Sequence, residues 1–179
     1  MQSLEFRIDC DTSRTMKKDI PAPILLPRRR IQIPFPSYRY VPGRHPHPIK
    51  DPRGHMMDRE PSFSISSSWK EDTQFLYAAD LFDARFYWEA HENWEQCWHR
   101  SNGVHRSCLQ GLIQLSAAIL KHHMGSERAR DRLFRSAQEK LGDAPRIGCS
   151  FKGVLQQTKA FFEGGEWPIL GEDFPRLME

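Results

Sequence analysis

From Glu89 to Glu95 the chain reads Glu-Ala-His-Glu-Asn-Trp-Glu, which places one imidazole and three carboxyl groups within seven residues. The His91-Glu92-x-x-Glu95 part of this run resembles the HExxH zinc pattern with glutamate in place of the second histidine. In that pattern, residues one helical turn apart hold a metal and the intervening glutamate acts as general base, which would make Glu92 the candidate base. On a helical wheel of about 100° per residue, His91 falls inside an apolar arc made by Tyr87, Ala90, Trp94, Cys97 and Trp98. Trp88 extends that side and Glu95 lies just beside it, while Glu89, Glu92, Asn93 and Gln96 turn toward solvent. A carboxylate on a packing face is costly unless it is hydrogen-bonded or paired. Three uses of His91 and Glu95 therefore stay open: a structural pair, a metal site, or a cleft that addresses a polar ligand.

Other polar residues could join them. Gln110 and Gln114 lie one turn apart on an otherwise apolar segment, and two primary amides there must find partners or line a small polar pocket. His45, His47, Asp51 and His55 crowd a proline-rich stretch, where imidazole with carboxylate suits zinc or a related metal. The bland alternative is that His47 and His55 hydrogen-bond to the folded part and dock the stretch. If that stretch crosses the helix, His47 or His55 could complete a metal site with His91 and Glu95. Cys97 and Cys108 read as small apolar groups, and His122-His123 as a helix-end pair.

The elements that must position these residues are helical. Phe75, Ala79, Phe82 and Phe86 recur at helical steps, with a turn at Asp83-Ala84-Arg85. Further helices are predicted over residues 86–100, stopping before Asn102-Gly103, and over 107–124, apolar around most of its circumference. Gly125 then supplies a stop and Ser126 an N-cap for a helix over 127–141. A fifth covers 150–163 and ends at Gly164-Gly165. No stretch alternates with a period of two. The fold class is all-α: a compact bundle of about five helices with an extended, Pro-rich N-terminal arm.

Ten of the thirteen prolines precede residue 62, which forbids long helices there. The expected organisation is a disordered basic tail over 1–31, an extended Pro/His-rich arm and hinge over 32–68, a bundle over 69–165 and a C-terminal tail over 166–179. The net charge of +3 divides unevenly: residues 1–68 hold 12 Lys and Arg against 7 Asp and Glu, the remainder 14 against 16. A run such as Arg28-Arg29-Arg30 in a tail reads as solvated, and a mildly acidic globular part offers no footprint for nucleic acid. No apolar run reaches the roughly 18–20 residues of a membrane span. Four cysteines outside any CxxC spacing, and no signal-like apolar block at the start, point to the cytoplasm.

The segment Phe86-Tyr87-Trp88-Glu89-Ala90-His91-Glu92-x-Trp94-Glu95-x-x-Trp98, followed by Leu109-Gln110-Gly111-Leu112-Ile113-Gln114, resembles domain of unknown function family 309. Those bacterial and archaeal proteins share an AHExxE…W helix and a GLIQ helix in a small helical bundle. The resemblance covers about residues 38–163. Arg85 departs from it, standing where the family often has glycine in the turn before the helix. The resemblance implies a helical fold and no established activity or cofactor.

The expected function is that of a non-catalytic binding module, with a polar pocket formed by His91, Glu95, Gln110, Gln114, Trp88 and Trp98. The alternative is a metal-assisted, hydrolase-like enzyme using the HExxE helix. The partner is a small polar ligand, or a second copy of the chain if Trp88, Trp94 and Trp98 lie exposed.

Overall fold

The structure is a computed structural model that describes residues 29, 33–56, 63–142, 149–171 and 174. The tail expected over residues 1–31 therefore lies outside the described residues, apart from Arg29. Among the described residues the chain forms five helices: α1 (Thr73–Asp83), α2 (Tyr87–His99), α3 (Gly103–His123), α4 (Glu127–Leu141) and α5 (Lys152–Phe162). Consecutive helices from α1 to α4 pack on one another.

Local chemistry sets the boundaries. The Asp72 carboxylate caps α1 by accepting from Phe75 N at 2.9 Å, satisfying a donor with no partner inside the helix. The helix ends with Arg85 N donating to Phe82 O and Phe86 N to Leu81 O, the paired bonds of a Schellman cap. Arg85 takes the left-handed position of that cap at φ 69°. A non-glycine residue there costs about 1–2 kcal/mol, and the guanidinium stacks on Trp167 at 4.6 Å. The same pair of bonds ends α3, with Gly125 at φ 71°. Helix α2 stops at His99, before Asn102-Gly103 as expected, but that pair does more than mark a stop. It opens α3 four residues earlier than its apolar pattern begins, with Asn102 at the N-cap and Gly103 at φ 52°.

Helix α3 is the centre of the bundle. Leu109, Leu112, Leu115 and Ile119 are fully buried in one core with Trp94, Phe82 and Phe75 from α2 and α1. Each such side chain contributes about 1.5–3 kcal/mol by leaving water. The arm over residues 33–56 lies on the bundle: Tyr77 Oη donates to Pro34 O at 2.9 Å, and Phe35 stacks on Phe86 at 5.2 Å. Arg29 departs from the solvated reading of its arginine run. Its side chain is 6% exposed and bonds Asp80, Asp83 and the Phe174 carbonyl.

Candidate functional site

Helix α2 is covered on two sides, and this decides where its polar residues point. The bundle takes Tyr87, Ala90, Trp94 and Cys97, as the wheel requires. The arm takes part of the face that the wheel assigns to water. Tyr40 packs edge-on against Trp88 at 5.2 Å, and its backbone N–H donates to Glu89 Oε1 at 2.8 Å. Glu89 is consequently 1% exposed, and burial lifts its carboxyl to about 8. Its solvent-facing assignment is thus overturned. Asn93, assigned to the same face, is buried as well, with its amide donating to Glu89 O and a longer contact to Gln74.

The histidines of the arm meet this covered face and do not join His91. The His55 ring lies 3.5 Å from Glu89 Oε1 and edge-on to Tyr38 at 4.3 Å. Burial lowers His55 while it raises Glu89, so at neutral pH the contact joins two groups that each favour the uncharged form. His47 packs against Tyr40 and Trp88, and its Nδ1 accepts from the Ile49 and Lys50 amides. His45 stacks on Tyr38, and Asp51 pairs with Arg53.

On the rest of α2 the HExxE residues come together. One ligand atom each from His91, Glu92 and Glu95 lie within 4.8 Å of one another. Glu92 therefore turns toward His91 and Glu95, against its expected orientation. His91 is 7% exposed, and its Nδ1 lies 3.2 Å from Ile113 O on α3. That carbonyl can only accept, so the ring carries its proton on Nδ1 and presents its lone pair at Nε2. Burial holds the imidazole down at about 4, neutral at pH 7. Glu92 and Glu95 are half-buried. Burial, and then the charge of Glu95, lift Glu92 to about 7, and burial also raises Glu95.

The neighbouring helix supplies the amides. His91 meets Ile113, and Arg106 Nη1 donates to Trp98 O at 2.8 Å, which fixes α2 and α3 as antiparallel. In that register Gln114 is level with His91, and Gln110 with Glu95. Both are half-buried, and the Gln114 carbonyl oxygen is buried without a hydrogen-bond partner among the described residues. Trp98 is half-buried beneath the Arg106 guanidinium, 3.5 Å from its ring centre, while Trp88 is covered by the arm and Trp94 by the core. The aromatic face that would mark a homodimer is largely spent inside the molecule.

These residues fall in a stretch that matches a family model. Residues 75–133 match the family model described as Domain of unknown function (DUF309). The resemblance drawn from the HExxE and GLIQ segments holds over that stretch, which runs from α1 into α4 and includes every residue of the His91, Glu92, Glu95 group. It is narrower than residues 38–163, and the arm lies outside it. No curated protein and no solved structure matches the chain. That description carries no chemistry, so the chemistry has to come from the residues. No described helix is long and apolar enough to cross a membrane.

Proposed function

We propose that this chain is a helical binding module for a cationic ligand, held on α2 by His91, Glu92 and Glu95. The observation that carries the reading is the convergence of two carboxyl oxygens and an imidazole nitrogen within 4.8 Å. Carboxylates brought together at a half-buried site repel, as the upward push of Glu95 on Glu92 indicates, and a bound cation relieves that repulsion. Gln110 and Gln114 supply neutral hydrogen-bonding groups at the same level of α3, and Trp98 flanks the site one turn beyond Glu95. Trp88 serves the arm instead. The buried thiols Cys97, Cys108 and Cys149 support a reducing, cytoplasmic setting.

The test is a thermal-shift and tryptophan-fluorescence titration of the full chain with Zn²⁺, Mn²⁺, Mg²⁺ and spermidine. At least one of these is expected to stabilise the wild type, and to lose its effect in the Glu92→Gln, Glu95→Gln double variant. If none distinguishes the two proteins, the reading is wrong.

A second reading, metal-assisted hydrolysis, is favoured by one observation. Glu92 is lifted to about 7, the range that suits a general base at neutral pH. It requires Glu92 to leave the ligand set for that role. Metal-dependent turnover of a model ester, falling about 10²–10⁴-fold in Glu92→Gln, would establish it.

A further inference from the structure

We infer that the open end of the α4–α5 pair is a second binding site, one that takes a small molecule with an apolar body and an anionic head. It shares no residue with the His91, Glu92, Glu95 group. The two helices run antiparallel: Phe134 meets Phe162 at 5.3 Å at one end, and Leu141 shares a cavity wall with Phe151 and Leu155 at the other. At that second end the helices do not close. They leave a cavity of about 320 Å³, at the small end of ligand sites and roomy enough for about ten groups the size of a water or a methylene.

The floor of the cavity is apolar. Leu141 and Phe151 are buried there and Leu155 is half-buried. Water gains few hydrogen bonds from such walls, whereas a hydrocarbon group gains by leaving water for them. The rim carries charge of one sign. Lys152 and Lys159 both line it, and among the described residues no carboxylate does. Neither lysine has an ion-pair or hydrogen-bond partner among the described residues. They stand on one face of α5, seven residues and about 10 Å apart along the axis. The flexible four-carbon stem of lysine lets both ammonium groups bend toward one anion.

The helix ends do not decide the sign of the site, because the N-terminus of α5 and the C-terminus of α4 carry opposite partial charges there. The lysines do. The exposed side-chain amides of Gln138 and Gln156 add neutral donors on the same rim, and neither is engaged elsewhere among the described residues. An alkyl carboxylate and an alkyl phosphate share the chemistry that fits: an apolar body against the floor and a negative head at the lysines.

Isothermal titration calorimetry of the full chain with sodium octanoate and octyl phosphate tests this, with octylammonium chloride as the charge-reversed control. At least one of the two anions is expected to bind with a single equivalent and a Kd below about 1 mM. Octylammonium should bind roughly tenfold more weakly or worse, and the tighter anion names the head group. Replacing both lysines, Lys152→Gln with Lys159→Gln, should weaken the anion by roughly tenfold or more. Both side chains are exposed, so this double variant keeps its fold, as circular dichroism checks. Leu155→Trp puts an indole into the cavity and should abolish binding while both lysines remain. No binding of either anion, equal binding by wild type and the lysine double variant, or octylammonium bound as tightly as the anions overturns the inference. Binding that survives Leu155→Trp overturns it as well, because it then belongs to the lysines at the surface and not to the cavity.

Discussion

Glu89 and His91 stand two residues apart on α2, and burial moves them in opposite directions: Glu89 up to about 8, His91 down to about 4. Each therefore leaves its own mark on stability against pH. Folded Glu89 keeps a proton that the unfolded chain releases near 4.5, so its contribution is complete below that pH and is lost as pH rises toward 8. Folded His91 refuses a proton that the unfolded chain accepts near 6.5, so its contribution is complete above that pH and is lost as pH falls through about 4. Chemical denaturation between pH 4 and 8.5 should show stability falling at both ends, with Glu92 adding to the alkaline limb. Glu89→Gln keeps an oxygen for the Tyr40 amide and cannot ionise. It is expected to flatten the alkaline limb by on the order of 2 kcal/mol. An alkaline limb that survives unchanged would place Glu89 in contact with water.

At the scale of elements, the site depends on how closely α3 approaches its neighbours. Gly111, inside the GLIQ segment, faces α4 so tightly that an added Cβ would lie 2.7 Å from Leu141 Cγ and 3.2 Å from Lys140 Cβ. Helical glycine is unfavourable by about 1 kcal/mol relative to alanine, yet here the missing side chain is what lets the two helices meet. Gly111→Ala is therefore expected to destabilise the fold by about 1–3 kcal/mol despite its better helix propensity. A denaturation midpoint equal to or above that of wild type would show that Leu141 can move aside. The arm acts on α2 in a complementary way. Its prolines deny it a helix, so it runs as a succession of turns and delivers aromatic rings and one backbone N–H to Trp88 and Glu89.

For the molecule as a whole, Arg29 ties distant parts of the chain together. Its guanidinium bonds Asp80 and Asp83 at the end of α1 and the carbonyl of Phe174, while Asp83 also accepts from Leu170 N and Gly171 N. Removing one member of a buried charge group strands the others without solvation, at a cost of about 3–5 kcal/mol. Arg29→Ala should lower Tm by roughly 10 °C, far more than truncation of a solvated tail arginine. A change below about 2 °C by calorimetry would show the contact to be dispensable.

How far all this could be read from the residues follows the range of the forces involved. Helix content, the stop at Gly125 and the turn at Asp83-Ala84-Arg85 rest on backbone geometry within a few residues, and they were legible. So was the inward turn of His91, because the apolar arc around it is periodic. The wheel failed where burial comes from residues far away in sequence. Glu89 faces away from the bundle, but the arm, some fifty residues earlier, closes over it. No periodicity on α2 carries that information. Arg29 is the same case in reverse, since two carboxylates of α1 recruit one arginine of a three-residue run. By itself the sequence determined the helices and the residue types that could bind a cation, because those depend on local backbone and side-chain chemistry. Only the tertiary structure decided which carboxylates converge on His91 and which is sealed away, because burial is set by what the rest of the chain lays on top.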